Sequence, residues 1–149
     1  MDYLAQFNAH YAQDTDEKVL YLTFDAGYEN GNTEAILDAL KKHGAPATFF
    51  LVGNYLETSP DLVKRMIAEG HNVGNHTYNH VEITRLSDEE AKKELTDTDA
   101  VICQITGKHV EYMRPPFGQW QDNLEKELNV MPVMWSIDPL GGTTKDVDE

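Results

Sequence analysis

Short apolar runs alternate with segments of helical periodicity along most of this chain, and that alternation restricts its fold more than any other feature. Residues 18–24 (Lys-Val-Leu-Tyr-Leu-Thr-Phe) are too short an apolar run for a stable helix and predict a buried strand. Residues 46–52, 71–75, 110–113 and 131–137 predict four more. Between them, 32–43 places Ile36, Leu37, Ala39 and Leu40 at helical spacing, and Gly44 stops that helix. Ser59 as N-cap with Pro60 at the first helical position opens a second helix, which carries Leu62, Val63, Met66 and Ile67 and ends at Gly70. Ser87-Asp88-Glu89-Glu90 reads as a capping box. It starts a long helix to about Thr106, with Ala91, Leu95, Val101, Ile102 and Ile105 inward and Gly107 after its end. Residues 121–128 predict one more helix. Strand–helix alternation of this kind builds an α/β fold around a parallel sheet, whose functional loops gather at the carboxyl ends of the strands.

With 149 residues, 40% hydrophobic and 26% charged, the chain fits one globular domain. We place that domain at residues 18–149, after an N-terminal helix or extension over 1–17. A formal net charge of −14 argues against a nucleic-acid partner, because phosphate backbones need clustered Lys and Arg. The single cysteine, Cys103, permits no intramolecular disulfide and reads as a buried hydrophobe. No stretch is long and apolar enough to span a bilayer, and Met1-Asp2-Tyr3 lacks the basic-then-apolar start of a secretory signal.

The predicted strand ends carry Asp25, His76, Arg114 and Asp138. His76 and His80, four positions apart, are able to turn their imidazoles toward one point and hold a divalent metal. Taken singly, each residue has an ordinary explanation: histidines in turns often serve as hydrogen-bonding groups, Asp25 after a strand reads as a turn former, and Arg114 before two prolines reads as an exposed arginine at a rigid turn. A base, a two-histidine metal site and a guanidinium at successive strand ends together match what metal-assisted hydrolysis requires.

Four motifs resemble the polysaccharide deacetylases of the NodB-homology group: Thr23-Phe24-Asp25-Ala26-Gly27, His76-Thr77-Tyr78-Asn79-His80, Arg114-Pro115-Pro116-Phe117-Gly118 and Trp135-Ser136-Ile137-Asp138. The likeness runs from about Lys18 to Asp138. The longer form Thr23 to Gly31 looks most like the branch of peptidoglycan deacetylases that form the muramic δ-lactam. The resemblance implies a parallel-sheet (β/α) barrel of the NodB type, truncated at its C-terminal end. It further implies a metal-dependent hydrolase that removes N-acetyl groups from amino sugars of peptidoglycan or a related polysaccharide, outside the membrane or in the cell envelope. By the same resemblance His76 and His80 hold the metal, Zn²⁺ or alternatively Co²⁺, and Asp25 is the general base. Arg114 orients Asp25, and Asp138 supports a catalytic histidine. Tyr28, Pro116, Phe117 and Trp135 line the substrate site, with Trp135 walling an apolar patch for the acetyl methyl group.

Two departures stand against the family pattern. Ala26 occupies the position where most members carry an aspartate ligand, which implies a weak metal site, with Glu29 or Asn30 as distant substitutes. After Trp135 no segment matches the family's final leucine-rich strand and its general-acid histidine. None of His10, His43, His71 or His109 ends a final strand. The alternative expectation is a catalytically silent carbohydrate-binding remnant of the same fold. A phosphoesterase is less well matched, because such sites recruit several carboxylates and often two metals.

Overall fold

The structure is a computed structural model and describes residues 16–120, Leu124 and residues 128–138. Its elements are β1 (Leu22–Ala26), α1 (Thr33–His43), β2 (Ala47–Leu51), α2 (Gly53–Thr58), α3 (Pro60–Ala68), β3 (Asn72–Asn75), α4 (Asp88–Thr106), β4 (Tyr112–Met113) and β5 (Met131–Pro132). Short 3₁₀ turns follow at Ile83–Arg85 and Pro116–Gly118. Of the helix expected over 121–128, Leu124 and Leu128 are described and helical. The rest of it, the 1–15 part of the expected extension and the tail from 139 lie outside the described residues.

All five strands are parallel and stand in sequence order, β1-β2-β3-β4-β5. Each crossover therefore advances one place in the same direction. A doubly wound sheet reverses its order at a switch point, whereas a closed barrel keeps it, so this sheet is an arc of the barrel type.

Period-two alternation divides each strand between two environments. On β2, Phe49 and Leu51 pack under the helices with Leu37, Leu40, Tyr55, Leu56, Val63, Met66, Leu95 and Ile102. Phe50, between them, faces the concave side, with its ring under the Arg114 guanidinium. On β1, Phe24 and Ala26 pack against the helical layer, while Thr23 and Asp25 turn to Arg114. Each fully buried large side chain contributes about 1.5–3 kcal/mol.

Several expectations are corrected. The first strand begins at Leu22 and continues to Ala26, because its length is fixed by the five-residue pairing with β2. Val19, Leu20 and Tyr21 remain 45%, 79% and 67% exposed on the outermost strand's approach. The six-residue α2 was not anticipated; Tyr55 and Leu56 anchor it. Ser59 starts α3 through its carbonyl, which accepts from Leu62 and Val63 N–H, and its hydroxyl makes no cap bond. The fifth strand pairs only at Met131–Pro132, since β4 is two residues long before Arg114-Pro115-Pro116 leaves the sheet. Ala39 and Ile67 point outward. The capping box at Ser87 and Glu90 is formed in both directions, and Gly44 and Gly107 end their helices at φ of 61° and 78°.

Candidate active site

One row of backbone hydrogen bonds just beyond the strands builds the site. Val52 N–H donates to the Ala26 carbonyl (3.1 Å), His76 N–H to Leu51 (3.1 Å), Arg114 N–H to Asn75 (2.8 Å) and Val133 N–H to Met113 (2.8 Å). Each strand's last carbonyl thus fixes the residue that follows the next strand. His76 and Arg114 are two of those residues, so the sheet itself sets their positions.

Arg114 is the hub. Its Nη1 donates to Asp25 Oδ1 at 2.8 Å and its Nη2 to Thr23 Oγ1 at 2.8 Å. Nε reaches the Val133 carbonyl at 3.2 Å and Nη2 the Met134 carbonyl at 3.3 Å. The guanidinium carbon lies 4.4 Å from the Phe50 ring centroid and 5.6 Å from that of Trp135. With its side chain only 4% exposed, the charge is acceptable because Asp25 neutralises it and every face is engaged. Asp25, 39% exposed, turns its second oxygen toward His76, with Oδ2 3.7 Å from Nε2.

His76 is buried, and its Nδ1 lies 2.7 Å from the Arg114 carbonyl oxygen. A carbonyl only accepts, so Nδ1 carries the proton and Nε2 presents its lone pair toward Asp25. Burial holds the His76 pKa below the usual imidazole range, with the neighbouring Asp25 charge opposing that shift. The ring is therefore neutral at pH 7 and available as a ligand. The His80 ring lies 5.0 Å from it, centroid to centroid, and 5.2 Å from Phe117.

Reaching this pose strains the turn. Thr77 and His80 adopt φ of 65° and 53°, in the left-handed region that costs a non-glycine residue about 1–2 kcal/mol. The turn also presses onto α2: Gly53 N–H donates to the Tyr78 carbonyl at 3.0 Å, and a Cβ at Gly53 would stand 2.7 Å from that oxygen. Only glycine fits there.

Among the described residues no group of three or more His, Cys, Asp and Glu side chains is arranged to hold a metal. The donor set instead fits a weakly held divalent ion: two imidazoles, that of His76 neutral with its tautomer fixed by a backbone carbonyl, beside the second oxygen of Asp25. Ala26 offers no donor and packs against the helical core. Glu29 does not replace it. Its carboxylate accepts from Gly31 and Thr33 N–H and from the Tyr55 hydroxyl, tying the β1–α1 loop to α2. Hydrogen bonding from the Thr33 side chain, joined by these bonds and opposed by burial, holds its pKa below the usual value. Asn30 accepts from Asn32 Nδ2.

Asp25, His76, His80, Arg114, Phe117 and Trp135 are thus joined in one cluster of contacts. Pro116 is buried beneath its rim, Phe117 is 63% exposed at φ 61°, and Trp135 is 40% exposed. Tyr28, 70% exposed, is not brought into those contacts, and Asp138 is exposed. His71 and His109 precede β3 and β4, at the opposite ends of the strands from the cluster. An apolar hollow of about 390 Å³ along β1 and α1 is lined by Leu22, Phe24, Ile36 and Leu40, with His43 as its one polar residue among the described residues. Sequence reasoning missed Thr23 and Phe50, although alternation with Phe24 and Phe49 places both on the concave face.

The polysaccharide deacetylase family profile matches residues 12–134. The peptidoglycan-N-acetylmuramic acid deacetylase PdaA of Bacillus subtilis is 41% identical over 138 residues, which cover 90% of this chain and 52% of that protein. The chitooligosaccharide deacetylase of Rhizobium leguminosarum bv. trifolii is 39% identical over 138 residues, covering 90% of this chain and 64% of that one. A solved structure of a family 4 carbohydrate esterase from Bacillus anthracis has a TM-score of 0.86 at 45% identity, covering 91% of this chain and 67% of the other. The chain spans about half the length of curated relatives such as PdaA, 52%. With its sequence-ordered parallel strands and the Asp25–Arg114–His76 cluster at their ends, the chain belongs to the polysaccharide deacetylase family.

Proposed function

We propose that this chain supplies the base, the metal ligands and the orienting arginine of a carbohydrate de-N-acetylase acting on N-acetylated amino sugars of peptidoglycan in the cell envelope. The observation that carries the reading is the divided use of Asp25: one oxygen is held by Arg114 at 2.8 Å, and the other faces the unprotonated Nε2 of His76 at 3.7 Å.

His76 and His80 would hold a divalent cation, Zn²⁺ or Co²⁺, which would supply Lewis acidity toward a carbonyl oxygen and toward water. Asp25 takes the proton of the attacking water through Oδ2. Arg114 keeps Oδ1 occupied, so the carboxylate has one orientation and one free oxygen. Phe117 and the indole of Trp135 flank the opening with apolar surface suited to an acetyl methyl group. Peptidoglycan is favoured over chitin-type oligomers by the Thr23–Gly31 resemblance and by the PdaA match.

The test is release of acetate from N-acetylated peptidoglycan fragments by the full-length gene product with Zn²⁺ or Co²⁺. Activity abolished by Asp25→Asn supports the reading. Glycan binding with no acetate released would replace it with the catalytically silent carbohydrate-binding alternative.

A further inference from the structure

The segment between the two histidines is held by a residue outside every motif. Glu94, half-buried on α4, accepts from Tyr78 N–H at 2.9 Å and Asn79 N–H at 2.8 Å through Oε2, and from Asn79 Nδ2 at 2.6 Å through Oε1. One helical step away, the Leu95 carbonyl accepts from buried Asn75 Nδ2 at 2.8 Å, while Asn75 Oδ1 accepts from Thr77 N–H at 2.9 Å. Helix α4 therefore grips the turn on both sides of Thr77. Two consecutive amides aimed at one carboxylate oxygen make a small anion nest, and a carboxylate in it forms charge-assisted bonds stronger than neutral ones.

We infer that Glu94 is the positioning residue for the histidine pair, holding the turn in the left-handed conformations of Thr77 and His80 that bring the two imidazoles together. The inference rests on the metal-site reading of His76 and His80. Left-handed φ at two non-glycine residues within four positions persists only where surrounding bonds over-determine it. Backbone bonding from the β3 end fixes His76 alone. His80, exposed at the far end of the turn, follows the backbone at Tyr78 and Asn79, whose two amides Glu94 holds while Gly53 N–H holds the Tyr78 carbonyl. Glu94 touches neither imidazole, so its effect appears as a change in ligand geometry.

The experiment is Zn²⁺ titration of the metal-free full-length protein by chelator competition, with amide hydrogen exchange at Tyr78 and Asn79 recorded without metal. Glu94→Ala is expected to raise the Zn²⁺ Kd about 10–100-fold, the range typical for outer-shell partners, and to accelerate exchange at both amides. Glu94→Gln, which keeps one acceptor oxygen, falls between Glu94→Ala and the unaltered protein. Thr98→Val removes the hydroxyl bond to the Glu94 carbonyl (2.7 Å) and weakens the same helix, yet leaves the carboxylate in place, so its Kd stays unchanged while its Tm falls. Equal Zn²⁺ affinity in Glu94→Ala and the unaltered protein overturns the inference alone. No Zn²⁺ binding by the unaltered protein overturns the metal-site reading and the inference with it.

Discussion

Replacing Arg114 by methionine removes a group that joins β1 to the β5 end across the concave face. Two charge-assisted bonds at 2.8 Å disappear, and two carbonyls lose their donor. Breaking a buried ion pair costs about 3–5 kcal/mol. Here Asp25 is 39% exposed, so water replaces part of its partner and the lower end applies, about 3 kcal/mol. For a domain of this size about 2–4 °C of Tm accompanies each kcal/mol, giving a loss of roughly 6–12 °C. Arg114→Lys retains a cation for Asp25 but has no planar fork for Thr23 and the carbonyls, and it should lose about half as much. Thermal unfolding by circular dichroism at fixed pH, on the full-length protein, measures both. Acetate release should fall in both, because Asp25 is no longer held in one orientation. A Tm unaltered by Arg114→Met would refute the hub role.

Three other outcomes are expected. Gly53→Ala forces a Cβ onto the Tyr78 carbonyl, so it should destabilise by about 1–3 kcal/mol and weaken Zn²⁺ binding by displacing the turn; a Zn²⁺ titration beside a melt checks this. Glu29→Ala should lower stability by about 1 kcal/mol through the loss of its loop bonds while leaving Zn²⁺ affinity unchanged; weaker binding would make Glu29 a ligand after all. His76 has a depressed folded pKa, so below about pH 6.5 the unfolded chain binds a proton that the fold excludes. Stability in chelator should therefore be fully present above that pH. It should fall by up to about 1.4 kcal/mol per unit as pH drops toward the folded pKa, a slope that His76→Asn abolishes.

What the sequence disclosed was what local pattern encodes. The helices over Thr33–His43 and Asp88–Thr106 were readable because both have apolar spacing and a terminating glycine. Asp25, His76 and Arg114 were readable because strand ends in parallel sheets converge. Strand lengths were not readable, since they depend on partners: the pairing of β1 with β2 starts at Leu22 although Val19 to Tyr21 are apolar, and β5 pairs only where β4 does. Six residues of α2 give too little periodicity to detect. In the sequence Glu94 is one more carboxylate on a helix whose first turn already carries Asp88, Glu89 and Glu90. Its partners are the amides of a turn 15 and 16 positions away, and backbone donors leave no trace in sequence.

The most direct test is an anomalous-scattering crystal structure of the full-length protein soaked in Zn²⁺, collected on both sides of the zinc edge. The account predicts one strong peak within about 2.0–2.1 Å of an imidazole nitrogen of both His76 and His80, with the free oxygen of Asp25 beside it. Fully loaded crystals with no peak there, or with zinc bound away from both imidazoles, would contradict it.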